Sequence, residues 1–345
     1  MKSKSLKVLY LGNNLSEKSK YQTANVILTN YLKKENYEIL LYSNKTNKLL
    51  RLTEMVFQLL KNYRTINYVL IDTYSTSNFY YALITSQLSR FLKLQYIPIL
   101  HGGNLPQRLE KSPKLSNLIF NKSYKNVAPS MYLAVEFEKR GYDTEVIPNI
   151  LDIKKYSFKK RDKIEPKLLY VRAFANIYNP KMAIYTLFEL KKIFPEATLC
   201  MIGPDRDGAL LEVYDLVESL KLNDSVEFTG VLGKKEWHKK SEEFDVFLNT
   251  TNFDNMPVSV MEIMALGLPI VSTNVGGLPY LLDDEINAIL VDKNDSIAMT
   301  EAIVRLLKSN AFVEEITKNA REKVEKFDWA HLKEAWNNIF KNADL

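Results

Sequence analysis

Asp254-Asn255-Met256-Pro257-Val258-Ser259-Val260-Met261-Glu262-Ile263-Met264-Ala265-Leu266-Gly267-Leu268-Pro269 sets two carboxylates eight positions apart around a helix start. Asn255 is predicted as the N-cap, with Pro257 near the first helical position. Gly267 stands where the helix would end, and Pro269 follows two residues on. Asp254 then lies just ahead of the helix and Glu262 in its second turn. Backbone N–H groups at a helix start suit an anion, and two nearby carboxylates accept from hydroxyls. Together they suggest a ligand with both phosphates and hydroxyls, such as a sugar nucleotide. A carboxylate near a helix start is more often only a cap or a dipole partner, so the flanking sequence has to decide. Downstream, Ile270-Val271-Ser272-Thr273 reads as a buried strand, and Asn274-Val275-Gly276-Gly277-Leu278-Pro279 as a turn. Helix, Gly-x-Pro, strand and Gly-Gly turn form an α/β unit with its loops at one edge.

The same alternation runs through the whole chain. Strands are expected at 7–11, 38–42, 68–72, 96–100, 125–129 and 145–147. Helical periodicity covers 22–34, 49–63, 77–92 and 131–139. A second series starts near Pro166, with strands at 167–171, 198–203, 225–228, 246–249, 270–272 and 288–291 and helices between them. Such alternation implies parallel sheets covered on both faces. Three helices are expected at 296–309, 311–327 and 329–341. In the last, Trp329, Leu332, Trp336 and Phe340 share one face as core residues. The hydrophilic stretch 152–166 reads as a linker. The expected domains are 1–150, 151–327, and a C-terminal helix at 328–345 packing back on the first.

At 345 residues, two domains are the natural division. Hydrophobic residues make up 46% and charged residues 26%, ordinary for a globular protein, and no apolar run is long enough to cross a bilayer. Residues 1–7 lead straight into a strand without the apolar core of a secretory leader. A single cysteine, Cys200, sits in an apolar strand. With no partner, it makes a reducing, cytoplasmic location the default. The net charge of +6 is unevenly spread: residues 1–150 hold 21 Lys/Arg and 10 Asp/Glu, the remainder 26 and 31. A basic first half suggests an anionic partner: a membrane surface, with the protein peripheral at the inner membrane face, or a lipid-pyrophosphate. Nucleic acid is disfavoured, since no reader motif occurs.

In doubly wound folds ligands bind beyond the C-terminal strand ends, so polar residues there are the site candidates. Arg172 follows the strand 168–171 and could grip a diphosphate bidentately. Lys181, nine residues on, is a second possible phosphate cation. His101 ends the strand 96–100 before Gly102-Gly103, where an imidazole could hydrogen-bond a sugar hydroxyl. His238 reads as an exposed helix residue. Gly12 follows the first strand, but no G-x-G-x-x-G, P-loop or Cys/His cluster occurs. Asp205-Arg206-Asp207 and Asp283-Asp284-Glu285 read as solvated turns. A reaction without metal or cofactor is therefore expected.

These residues resemble the retaining glycosyltransferases of family 4, whose GT-B architecture sets two Rossmann-like, doubly wound domains facing a central cleft. That family carries Glu-x7-Glu, a Gly-x-Pro strand and a Gly-Gly turn. Here the pair is Asp254-x7-Glu262, followed by Gly267-Leu268-Pro269 and Gly276-Gly277. Ile147-Pro148-Asn149-Ile150-Leu151-Asp152 is similar to the inter-domain Pro-Asn-Gly-x-Asp, and Val171-Arg172 to the Gly-Arg ahead of a phosphate-binding Lys. Met201-Ile202-Gly203 and Phe228-Thr229-Gly230 follow in the usual order. The resemblance implies transfer of a sugar from a nucleotide-sugar donor to a glycan or lipid-linked acceptor of cell-surface polysaccharide, with retention. By it, Glu262 would hold the donor's ribose and Asp254 the transferred sugar. Asn255, Met256, Pro257 and Val258 would line the donor, and Arg172 would hold the diphosphate. His101 would sit at the sugar and acceptor side, with Gly12 at the reduced glycine loop. The chain departs from the pattern at Asp254, one methylene shorter than Glu, and at Ile177, where the family's Lys is expected. A sugar-nucleotide 2-epimerase of the same shape and a catalytically inactive partner subunit are the alternatives.

Overall fold

The computed structural model of the chain describes residues 6–14, 23–161 and 163–341. It divides into two compact units, Met1–Ile150 with Trp329–Leu345, and Leu151–Asp328. Residues 1–5 and Gln22, the first residue of the helix expected at 22–34, lie outside the described residues.

The first unit runs β1 (Lys7–Leu11), α1 (Ala24–Lys34), β2 (Glu38–Tyr42), α2 (Lys48–Asn62), β3 (Tyr68–Thr73), α3 (Asn78–Phe91) and β4 (Gln95–Leu100). It continues through α4 (Leu105–Lys111), α5 (Pro113–Phe120), β5 (Asn126–Ala128), α6 (Met131–Glu138) and β6 (Thr144–Val146). All six strands are parallel, in the order β2-β1-β3-β4-β5-β6. Alternate side chains go to opposite faces: Leu9 and Leu11 join a core with Met55, Phe79 and Ile119, while Val8 and Tyr10 join one with Leu28 and Tyr68. Local chemistry starts the helices. Asn47 caps α2 by accepting from Leu49 and Leu50 N–H at 2.9 and 3.2 Å, and Ser130 caps α6 through Leu133 N–H. Sequence periodicity missed α4 and α5, which are each two turns long, too short to show a repeat.

The second unit runs β7 (Lys167–Val171), α7 (Pro180–Lys191), β8 (Thr198–Ile202), α8 (Ala209–Ser219), β9 (Val226–Gly230), α9 (Lys234–Lys240) and β10 (Val246–Asn249). Then come α10 (Val258–Leu266), β11 (Ile270–Thr273), α11 (Leu278–Leu281), β12 (Ile289–Val291), α12 (Ser296–Lys308) and α13 (Asn310–Glu325). Its sheet is also six-stranded and parallel, ordered β12-β11-β10-β7-β8-β9. Leu168, Tyr170, Leu199 and Met201 face one core; Leu169, Cys200 and Ile202 face the other. Burial raises the Cys200 thiol to about 12, so it stays protonated and serves as packing.

Three readings are corrected. The stretch 152–166 is no loose linker: Tyr156 and Ile164 are buried in the second unit. Buried Arg161 donates to the carbonyls of Gly267 at 2.8 Å and Phe244 at 3.1 Å. Its polar composition concealed this, because a guanidinium can be buried once carbonyls satisfy it. Asn255 is not the N-cap of α10; Pro257 is, and the helix begins at Val258. Asn255 is instead buried beneath the Gly-Gly turn. His238 is not exposed, as its surroundings below show. Gly267 does end α10, with φ of +79°.

The last helix, α14 (Trp329–Lys341), belongs to the first unit. Trp329, Trp336 and Phe340 enter the core of Val8 and Tyr10, where Trp329 stacks on Tyr31 and the Phe340 carbonyl accepts from Tyr68 Oη at 2.8 Å. Among the described residues no helix is long and apolar enough to cross a membrane.

Candidate active site at the strand ends

In the second sheet the chain leaves β7 in one direction, to β8 and β9, and returns on the other side with β10. The strand order therefore reverses between β7 and β10, where the loops diverge and leave a crevice. Arg172 directly follows β7 on one side of that point; Asp254, five residues past β10, reaches it from the other. The Arg172 Nη2 donates to Asp254 Oδ2, and the guanidinium lies 4.2 Å over the Tyr178 ring. Its Nε is buried with no hydrogen-bond partner, so the pair does not use all that the guanidinium offers. Burial pushes the Asp254 carboxyl above the ordinary range, against the opposite pull of Arg172 and of the Asn255 N–H, which Oδ1 accepts at 2.9 Å.

Three glycines shape this crevice by having no side chain. A Cβ on Gly203 would stand 2.6 Å from the Arg172 carbonyl carbon. A Cβ on Gly276 would be 3.1 Å from the Phe253 ring and on top of the Asp254 carbonyl; one on Gly277, 2.7 Å from the Asn255 carbonyl carbon. The Gly277 N–H donates to the Asp254 carbonyl at 2.9 Å. The Gly-Gly turn is thus the floor on which the Asp254–Asn255 loop rests. Thr250 and Thr251 tie the same loop to the Tyr178 and Ile177 carbonyls at 3.0 and 3.2 Å. Beyond it α10 starts at Val258 with no side-chain cap; Met256 is half-buried against the core and Val258 is exposed.

Glu262, on α10, is buried in a network that sequence reading missed. Its Oε1 accepts from Tyr156 Oη at 2.9 Å and pairs with Lys234, while Oε2 faces His238 Nε2 at 3.7 Å. That last distance is too long for a hydrogen bond, which leaves His238 Nε2 buried without a hydrogen-bond partner. Burial pushes the Glu262 carboxyl up, but His238 and Lys234 outweigh it and hold it below the ordinary range. Lys234 and His238 lie four apart on α9, one above the other on the same face. That spacing was a usable signal. What the sequence could not show is that the strap carrying Tyr156 closes over the same carboxylate.

Lys181 is drawn elsewhere. It sits in the first turn of α7, half-exposed, with its ammonium 2.6 Å from Glu212 on α8. In the structure its ammonium meets this surface carboxylate rather than the Arg172–Asp254 pair.

The first sheet has its own reversal, between β1 and β3. There Asp72 is buried with three partners: Oδ1 lies 2.9 Å from both Tyr10 Oη and His101 Nε2, and Oδ2 accepts from Asn25 Nδ2 at 3.0 Å. Gly12 makes this arrangement possible, since a Cβ there would be 2.8 Å from both the Asp72 carboxyl carbon and the Asn25 amide. Gly12 therefore makes room for a carboxylate of its own chain. His101 stacks on Tyr74 with ring centroids 5.1 Å apart. Burial, with the Asp72 charge beside it, holds the Tyr10 hydroxyl well above its ordinary range, so it remains a donor. With Nε2 committed to Asp72, Nδ1 is the imidazole atom left to meet a ligand. Among the described residues no group of three or more His, Cys, Asp or Glu could hold a metal ion.

Two Rossmann-like units, each with a polar pair at its strand-order reversal, define the GT-B class of fold. Residues 152–323 match the family of glycosyl transferases group 1, and through this half the chain belongs to that family. The amylovoran biosynthesis glycosyltransferase AmsK of Erwinia amylovora is 27% identical over 181 residues, 47% of this chain and 44% of that protein. The chain spans less than half the length of this and other curated relatives it matches. Among solved structures, sucrose-phosphate synthase from Thermosynechococcus elongatus superposes with a TM-score of 0.80 at 17% identity, covering 98% of each chain. HepE from Anabaena, in complex with UDP-glucose, gives 0.74 at 15% identity, covering 98% of this chain and 100% of that one. At such identity these two likenesses establish the fold alone.

Proposed function

We propose that the chain transfers a sugar from a nucleotide-sugar donor to a glycan or lipid-linked acceptor, with retention and without a metal, in the cytoplasmic synthesis of a surface polysaccharide. The observation that carries this reading is the Arg172–Asp254 pair at the sheet reversal, beside the uncapped start of α10. A cation with spare donors next to helix amides suits a diphosphate, and an adjacent carboxylate suits the hydroxyls of the sugar attached to it. The amylovoran role named for AmsK and the UDP-glucose held by HepE point to the same class of donor and product.

In this reading Glu262 holds the ribose hydroxyls, which compete with Lys234 for Oε1. Asn255, Met256, Pro257 and Val258 line the donor, and Asp254 orients the sugar. The acceptor hydroxyl attacks the anomeric carbon from the face the diphosphate leaves. The old C–O bond breaks as the new one forms, and the hydroxyl proton passes to the departing phosphate oxygen. Arg172 and the α10 amides stabilise the charge that gathers there; one such donor is worth about 3–4 kcal/mol. His101, oriented by Asp72, offers Nδ1 to a sugar hydroxyl.

Isothermal titration with nucleoside diphosphates, followed by a donor screen with product NMR, tests the proposal. Binding of one diphosphate, weakened about tenfold or more by Arg172→Gln and by Glu262→Gln, is the expected result. A new glycoside with the donor's anomeric configuration completes it. Isomerised sugar nucleotide without acceptor would replace the transferase with an epimerase, and no binding of any diphosphate would make the chain an inactive partner.

A further inference from the structure

The helices α2, α3, α4, α5 and α6 all supply residues to the same core, that of Leu9 and Leu11, so they form one layer on that face of the first sheet. Tyr81 of α3 donates from its hydroxyl to the Lys48 carbonyl of α2 at 2.9 Å, and Gln87 of α3 donates to the Leu118 carbonyl of α5 at 2.9 Å. The three helices α2, α3 and α5 are therefore neighbours side by side, and their outer surfaces are continuous.

That outer surface is apolar where a helix layer is ordinarily polar. Nine large apolar side chains are exposed among the described residues of the first unit, and eight of them lie on α2, α3 and α5. They follow the helical repeat: Leu50, Phe57 and Leu60 along α2, then Tyr80, Ile84 and Phe91 along α3. Phe91 is 83% exposed and Phe57 60%, so these rings are not partly buried core residues. Scattered apolar residues need no explanation, but a stripe on adjacent helices does.

The charges around the stripe are predominantly basic. Between residues 39 and 109 the only acidic residues are Glu54 and Asp72. Asp72 is buried with Tyr10, Asn25 and His101, and Glu54 accepts from Ser43 Oγ. Nine exposed lysines and arginines lie on the three helices or within three residues of their ends, among them Lys48, Lys61, Arg64 and Arg90, against one exposed acid, Glu110, which pairs with Arg140 at 2.5 Å.

We infer that this face of the first unit docks on an anionic lipid bilayer, its apolar stripe entering the headgroup boundary and its lysines and arginines meeting the lipid phosphates. Lysine-rich surroundings disfavour a protein partner, since the buried core of protein interfaces is depleted of lysine, whereas a predominantly basic margin round an apolar helix face suits an interfacial surface. The inference does not depend on the proposed transferase activity and stands or falls on binding alone.

Co-sedimentation of the full chain with vesicles tests it, comparing phosphatidylcholine alone with a mixture of phosphatidylcholine and phosphatidylglycerol. Binding about tenfold stronger to the anionic mixture, weakening as salt rises, is the expected result. Phe57→Ser with Phe91→Ser should lower it about tenfold or more through lost insertion. Lys61→Glu with Arg64→Glu should lower it similarly through charge, on side chains too exposed to affect folding. Helical circular dichroism of each variant is checked against the parent. Equal binding to both vesicle types, or variants that bind like the parent, would overturn the inference. So would a concentration-dependent dimer, seen by sedimentation, that Phe57→Ser with Phe91→Ser dissolves; the face would then belong to a second copy.

Discussion

Gly277→Ala is the sharpest test of how the second unit builds its site. Gly277 has φ of −88° and ψ of −4°, a conformation alanine adopts without strain, so any effect must come from space. The added methyl would stand 2.7 Å from the Asn255 carbonyl carbon and 3.1 Å from its Cα. Ordinary carbon–carbon contact is about 3.5–4.0 Å, so the Asp254–Asn255 loop has to retreat by about 1 Å. Those atoms are backbone, with no flexible side-chain end to swing aside. The retreat stretches the 2.9 Å hydrogen bond from Gly277 N–H to the Asp254 carbonyl. Overpacking of about 1–3 kcal/mol and one weakened hydrogen bond of about 1 kcal/mol give a loss of about 2–4 kcal/mol. For a unit of this size that lowers its melting midpoint by about 4–16 °C. The same movement carries Asp254 away from Arg172. Affinity for the nucleoside diphosphate should fall about tenfold, and turnover by up to about a hundredfold, since displacements of this size near reacting groups are that costly. Gly141→Ala is the control: φ is +79° with nothing within 4 Å, so it should cost about 1–2 kcal/mol by backbone strain alone and leave the diphosphate affinity unchanged. Scanning calorimetry and isothermal titration read the two effects. A Gly277→Ala protein with native stability and native affinity would refute the claim that the glycine pair seats the loop.

Other consequences follow from the buried charges. The Asp254 carboxyl is raised in the folded chain, so its favourable contribution is present below the unfolded value near about pH 4 and is lost as pH rises through the higher folded value. Denaturant titrations of the parent and Asp254→Asn from pH 3.5 upward should diverge with rising pH in favour of the variant; a pH-independent difference would sink this reading. Glu262→Ala should destabilise by about 2–3 kcal/mol, less than a fully enclosed pair because Lys234 is half-exposed, whereas Glu262→Gln keeps the Tyr156 contact and should lose about half of that. Equal losses would mean that charge rather than shape holds the network. Lys181→Ala should change stability by less than about 0.5 kcal/mol and leave diphosphate affinity intact, because Glu212 already engages the ammonium at the surface; a tenfold loss of affinity would restore it as a phosphate ligand.

Much of this fold can be read from the chain because parallel sheets buried on both faces leave plain traces. Runs such as Tyr68–Thr73, buried at every position, cannot be anything but central strands. The Gly267 stop to α10 is equally local, a left-handed residue that only glycine adopts freely. Other features had no local trace. Asn255 has the chemistry of an N-cap, yet tertiary packing beneath Gly277 takes the residue and moves the helix start on to Val258. Tyr156 and Glu262 are 106 positions apart and meet only because a hydrophilic-looking strap is buried through Arg161. His238 looked exposed because its neighbours on α9 are lysines, but a two-turn helix can turn one face inward behind a charged sequence. Asp72 carries no motif at all; only the strand order puts it between Gly12 and His101.

The return of α14 has a consequence for how the chain comes into being. Tyr37 meets Asn337 across 300 positions, and Tyr68 meets the Phe340 carbonyl across 272. The entire second unit is threaded between the two parts of the first. At equilibrium this is cheap, as each doubling of a closed loop adds only about 0.6 kcal/mol. During synthesis it is a delay. A ribosome moving at about 5–20 residues per second needs roughly 10–40 s to go from Ile150 to Trp329. Throughout that interval Tyr31, Tyr37 and Tyr68 wait without the helix that covers them. The nascent first unit thus keeps that apolar face open, and the second, continuous and complete at Asp328, can fold before the first has closed.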